Sequence, residues 1–205
     1  VQATSTYISS NQNTFNEIQN FISQHPEVYI PGFLSYDLKN EIEELTTDHP
    51  NHLNFPKAYF FVPATLIKIK SDQVWIQSAH PEKIFQEILE TKLKFEQVNF
   101  KGEVKSRWSK SEYVDAFSKM QEHIKRGDIY EVNLCQEFFA EQAKLNPLAA
   151  FEKLNSISPT PFAAFFKFEN KYILSASPER FLAKRSSQLI SQPIKGTAKR
   201  GQTER

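Results

Sequence analysis

Two short stretches near the end of the chain decide how it is read. They are Tyr172-Ile173-Leu174-Ser175-Ala176-Ser177-Pro178-Glu179-Arg180-Phe181 and Gln192-Pro193-Ile194-Lys195-Gly196-Thr197. Each begins or ends on an apolar run. Phe162 to Phe168 and Tyr172 to Ala176 predict one hairpin about Glu169-Asn170. Phe181 to Lys184 and Leu189 to Ile194 predict a second antiparallel pair. Glu179 then stands sixteen residues before Lys195. If the two runs are neighbours, an acid and an amine can face one cleft. Pro193 fixes its own φ and biases Gln192 to extended backbone. Gly196 lets backbone approach a ligand closely, and Thr197 offers a hydroxyl and an amide to an anion. A surface turn with a solvated lysine is the plainer reading of Lys-Gly-Thr alone.

Working outward, Asn146-Pro147 starts a helix carrying Leu148, Phe151 and Leu154. Upstream, Ser109-Lys110-Ser111-Glu112 is a capping box. The helix it opens places Tyr113, Phe117, Met120 and Ile124 on one face, and Gly127 stops it. Ile129 to Ala140 reads as the clearest strand. Tyr130, Val132 and Leu134 share one face, and Glu131, Asn133 and Cys135 the other. Residues 94 to 108 are mixed and charged and read as a linker. Before them, Pro81 opens a helix with Ile84, Phe85, Ile88 and Leu89. Tyr59 to Ile69 is strand, broken at Pro63, and Val74 to Ile76 returns after Ser71-Asp72-Gln73. Trp75 reads as core. Glu27 to Ile30 is a short extended piece before a Pro31-Gly32 turn. Thr14 is the expected N-cap of a helix bearing Phe15, Ile18, Phe21 and Ile22. Glu41, Glu43 and Glu44 read as a solvated acidic face.

Composition narrows the function classes. The 205-residue chain is 40% hydrophobic with 18 Phe, enough for a substantial core, and its net charge is +1. That balance favours neither nucleic acid nor membrane surface as a partner. One cysteine, Cys135, excludes an intrachain disulfide and a cysteine zinc cluster. No apolar run has membrane-spanning length, and Val1-Gln2-Ala3-Thr4 is not a signal peptide, so a cytoplasmic protein is expected. Lys and Arg dominate from Arg180 onward, which suits a small anionic ligand or a basic tail.

Several motifs then occur in one order. Gly127-Asp128-Ile129-Tyr130-Glu131-Val132-Asn133-Leu134-Cys135-Gln136 resembles the Gly-Asp-aromatic-Gln-Val-Asn-Leu-x-Gln segment of chorismate-utilising enzymes. Pro159-Thr160-Pro161-Phe162, Ser175-Ala176-Ser177-Pro178-Glu179-Arg180-Phe181 and Pro193-Ile194-Lys195-Gly196-Thr197 resemble three further signatures of that family. Phe33-Leu34-Ser35-Tyr36-Asp37-Leu38 resembles a Gly-Tyr-Asp-Leu stretch of its N-terminal part. The resemblance covers most of residues 31 to 205. It implies an α+β fold of antiparallel sheets with flanking helices, like component I of anthranilate synthase but incomplete. Residues 1–108 would belong to the N-terminal region and 109–205 to the first part of the catalytic domain.

The resemblance also implies chemistry. Lys195, where anthranilate-forming members typically carry Ala, points to the aminodeoxychorismate-forming branch that serves para-aminobenzoate and folate synthesis. Lys195 would be the nucleophile and Glu179 the general acid. Gly196, Thr197, Glu131 and Asn133 would contact chorismate. Ammonia would come from a glutamine amidotransferase partner, and Mg²⁺ would be held by glutamates expected beyond residue 205. Glu131 departs from the family, where ammonia-using members usually have Gln and water-using members Lys. The rivals are an anthranilate-forming component I and a non-catalytic fragment that folds without turnover.

Overall fold

The computed structural model describes residues 2–9, 12–47, 49–92, 97–194 and 196. The chain divides into two compact units, residues 1–94 and 95–205. Both mix helices with antiparallel strands, as the α+β expectation required.

In the first unit, β1 (Ala3–Ile8), β2 (Gly32–Leu34) and β3 (Ala58–Pro63) form an antiparallel sheet in the order β1-β3-β2. The central strand is apolar on both faces, and Ala58, Phe61 and Val62 are buried. Gly32 opens β2 where the sequence suggests a turn. It sits opposite Phe60, and a Cβ there would lie 2.3 Å from the Tyr59 carbonyl oxygen. Only a residue without a side chain lets the two strands approach so closely.

Helix α1 (Thr14–Ser23) buries Phe21, whose ring lies 6.0 Å from that of Tyr7 on β1. The Tyr7 hydroxyl donates to Glu17 Oε2 at 2.8 Å. Burial and that carboxylate push the Tyr7 pKa up to about 12. Thr14 is not the N-cap. Asn13 occupies that position in a left-handed conformation, with no capping side-chain bond. The cap comes from Glu41 instead, at the end of a 3-10 helix (Tyr36–Glu41). Glu41 Oε2 accepts from the Thr14 amide at 2.8 Å, and Oε1 accepts from the Thr14 hydroxyl at 2.7 Å. Lys57 Nζ lies 3.4 Å from Oε1. The Glu41 side chain is only 11% exposed, so it does not belong to a solvated face. Burial opposes its charge, but the bonds from Thr14 and the Lys57 ammonium hold its carboxyl below the usual range. A carboxylate against orphan helix amides is favoured by the helix dipole as well.

The rest of this unit is a ribbon and a helix. β4 (Leu66–Lys70) and β5 (Gln73–Gln77) pair about a turn with Ser71 at φ 53°. Trp75 is 46% exposed on that ribbon rather than core. Helix α2 (Pro81–Glu90) follows, with no buried residue.

In the second unit, β6 (Lys105–Ser106) pairs with β7 (Phe138–Phe139), and Lys101 bridges Lys144. The expected linker therefore contains paired backbone. Helix α3 (Lys110–Arg126) has the predicted capping box and ends at Gly127, φ 82°. Hydrogen bonds from the Ser109 amide and hydroxyl hold the Glu112 carboxyl below its ordinary range. Helix α4 (Pro147–Ile157) is capped by Asn146, whose Oδ1 accepts from the Leu148 and Ala149 amides. It packs on the hairpin β8 (Phe162–Phe168) and β9 (Lys171–Ser177) through Phe151 and Phe165, centroids 5.6 Å apart. The second hairpin is β10 (Arg180–Arg185) and β11 (Gln188–Gln192).

The strand expected over Ile129–Ala140 is reduced to Phe138–Phe139. Alternation is necessary for a half-buried strand, but a ladder needs a partner. Among the described residues no strand pairs with residues 129–137. Tyr130, assigned to an apolar face, is 94% exposed.

Candidate functional site

The site is built where β9 hands the chain to β10. Ser177 ends β9, and Pro178 follows. The Ser177 hydroxyl accepts from the Glu179 amide at 3.3 Å and lies 3.3 Å from the Glu179 carbonyl oxygen, to which it can donate. This local turn sets the direction of the Glu179 side chain. Its Oε1 accepts from the Ile194 amide at 3.0 Å. The acid of one signature is thus fastened to the backbone of the other, one residue before Lys195.

Arg180, next in sequence, makes a second connection. It faces Gln192 across the β10–β11 ladder, and its Nε donates to Gln192 Oε1 at 2.8 Å. Its guanidinium lies over the Phe162 ring, 4.8 Å from the centroid. Phe162 opens β8, opposite Ser177. Ser191 Oγ donates to the Phe181 carbonyl at 2.9 Å. The ladder shifts register between Arg180 and Ala183, which marks a bulge or local irregularity. Such irregularities bend a strand and re-aim side chains, and they are common beside active sites.

Lys195 and Thr197 lie outside the described residues. Gly196 is exposed, and a Cβ there would meet open space. Glu131 and Asn133 are exposed on the segment that precedes β7. At the head of that segment the Asp128 carboxylate is drawn below its ordinary range by His123 and then Arg126. His123 Nδ1 lies 2.8 Å from Asp128 Oδ2 and Arg126 Nη2 2.7 Å from it. Among the described residues no group of three or more His, Cys, Asp or Glu could hold a metal ion. Nor is any helix among them long and apolar enough to cross a membrane.

The sequence reading named Glu179 and Lys195 but missed Gln192, Phe162 and the Ile194 amide. A backbone donor has no residue signature, and Gln192 shows its use only once it stands opposite Arg180.

The family profile of chorismate binding enzymes matches residues 2–205. The chain belongs to the chorismate-binding enzyme family. It is 29% identical over 186 residues to the anthranilate synthase component I-like protein of a Synechocystis strain, covering 83% of this chain and 36% of that protein. It is 40% identical over 95 residues to aminodeoxychorismate synthase component 1 of Escherichia coli K12, covering 46% of this chain and 21% of that protein. In fold it is similar to the crystal structure of anthranilate synthase component I from Streptococcus pneumoniae TIGR4. There the TM-score is 0.73 at 18% identity, over 92% of this chain and 51% of that one. This family chain spans well under two thirds of the length of these relatives.

Proposed function

We propose that the chain is part of a component I that aminates chorismate to 4-amino-4-deoxychorismate. The supporting observation is the 3.0 Å hydrogen bond from the Ile194 amide to Glu179 Oε1, which brings the Ser-Pro-Glu-Arg and Pro-Ile-Lys-Gly-Thr signatures together. Lys195 favours this branch over the anthranilate-forming one. The 40% identity to aminodeoxychorismate synthase component 1 over part of the chain agrees with it.

In this reading the Lys195 amine forms a bond to C2 of chorismate while the ring double bonds shift and the C4–O bond breaks. Ammonia then bonds to C4, the double bonds shift back, and the lysine leaves C2. One hard substitution becomes two easier ones. A free lysine has a pKa of about 10.4, so at pH 7 about one in a few thousand is the neutral nucleophile. The site must therefore favour the neutral amine, and a cation such as Arg180 would act in that direction if it stood close to it. Hydroxide is a poor leaving group, so a proton must reach the departing C4 oxygen. Glu179 is the proposed donor, with its Oε1 held by the Ile194 amide. The Gly196 and Thr197 amides would hold the ring carboxylate, with Glu131 and Asn133 lining the substrate. Mg²⁺ and a glutamine amidotransferase that delivers ammonia would serve the same reaction.

The test is product analysis of the full-length protein with chorismate, ammonia and Mg²⁺. The expected product is aminated at C4. Anthranilate, aminated at C2, would transfer the protein to the other branch. Unconsumed chorismate would remove the enzymatic reading.

A further inference from the structure

We infer that Arg180 is a positioning residue, which works with Glu179 to grip the turn leading to Lys195 from both sides of Pro193. This inference rests on the role proposed for Lys195, but its geometry stands without it. Glu179 and Arg180 are consecutive, and they hold residues on either side of one proline. Arg180 Nε donates to the Gln192 side chain at 2.8 Å, and Glu179 accepts from the Ile194 amide at 3.0 Å. Between these two anchors stands Pro193, whose ring fixes φ. With both flanks held and the middle residue stiff, little torsional freedom remains upstream of residue 195.

The grip is itself anchored. The Arg180 guanidinium lies over Phe162 of the neighbouring hairpin, 4.8 Å from the ring centroid. A planar guanidinium can stack on a ring and still direct Nε sideways to an amide oxygen, which an ammonium cannot do with the same geometry. Arg180 thus references the turn to β8–β9 as well as to its own ladder. The consequence is orientation. A nucleophile displaced by about 1 Å can lose about a hundredfold in rate while the substrate still binds.

The experiment has two readouts. The first is amide hydrogen exchange, resolved at Ile194 and across residues 188–190, in the 205-residue chain. In Arg180→Ala and Gln192→Leu, exchange at Ile194 is expected to rise by about tenfold, with residues 188–190 unchanged. Gln192→Glu keeps an oxygen for Arg180 and is expected to retain the protection. The second is steady-state kinetics of the full-length protein. Arg180→Ala and Gln192→Leu are expected to lower kcat for C4 amination ten- to a hundredfold, with KM for chorismate within about twofold. Gln192→Glu should restore most of the rate. Unchanged exchange at Ile194 in Arg180→Ala would overturn the grip. So would equal loss across residues 188–190, which would make Arg180 a holder of the hairpin only. A raised KM with unchanged kcat would make it a substrate-binding residue. If wild-type protein does not turn over chorismate, the proposed function falls, and the exchange data still decide the grip.

Discussion

The two units of this chain stabilise themselves differently. The first has a three-stranded sheet whose middle strand is buried, a helix seated on it through Phe21, and Leu38 closing the core. In the second unit every sheet among the described residues is a two-stranded ribbon, and Ala149 and Phe168 are the hydrophobic residues recorded as buried. Phe181, immediately after the Glu179-Arg180 pair, is 91% exposed. A two-stranded ribbon is marginal alone in water, and it gains stability by packing against something else. The unit with the better core carries none of the proposed catalytic residues. The unit that carries them depends on helix caps, ring contacts and side-chain clasps. Glu179 sits on the link between two ribbons, where a few hydrogen bonds hold it.

This contrast can be broken most readily in the core. Phe61→Ala, at the centre of the first unit's sheet, is expected to destabilise that unit by about 3–5 kcal/mol. Peptide-resolved hydrogen exchange should show the loss over β1, β2 and β3 and leave the β8–β9 hairpin untouched. Loss of protection in both units together would mean that they fold as one, and the contrast would be lost.

A smaller effect is expected at Glu41. Glu41→Gln keeps the shape of the cap but removes its charge, and about 1–2 kcal/mol is the expected cost. The wild-type contribution has a definite pH dependence. The folded-state pKa is lowered, so the stabilisation is complete above the ordinary glutamate value of about 4.3. It fades as pH falls through the lowered folded value. Denaturation midpoints of wild type and Glu41→Gln should therefore converge in acid and separate towards neutrality. A constant gap across that range would show that the ionisation of Glu41 is not what stabilises the cap.

In the second unit, Ser109→Ala should speed exchange in the first turn of α3, because the Ser109 hydroxyl accepts from the Glu112 amide at 3.3 Å. The smallest effect belongs to Phe181→Ala, within about 0.5 kcal/mol in this chain, since so little of the ring is buried. A large loss there would show a burial that the ribbon geometry does not contain.

What was legible in the sequence follows the same division. The capping box at Ser109, the Asn146 cap, the hairpin about Glu169-Asn170 and the antiparallel pair that begins at Phe181 are local, and local chemistry specifies them. The Glu41 cap was hidden because its partner lies 27 residues away and a glutamate in an acidic run resembles a solvated one. Trp75 was misplaced because ring size indicates burial only where a second layer covers the ribbon. The strand over Ile129–Ala140 failed because alternation describes the segment, whereas a ladder belongs to a pair. Glu179 and Lys195 were visible as motif residues. The groups that hold Arg180 and Glu179, Gln192 and the Ile194 amide, are properties of register and backbone and appeared only with the fold.

The proposal stands or falls on the Lys195 amine. Full-length protein held with chorismate and Mg²⁺ but without ammonia can be digested and its Lys195 peptide weighed. The account predicts an added mass equal to chorismate less one water, present in wild type and absent in Lys195→Ala. The alanine variant should retain a residual rate shifted towards C2-aminated product. An unmodified wild-type peptide, together with an unchanged rate of C4 amination in Lys195→Ala, would contradict it.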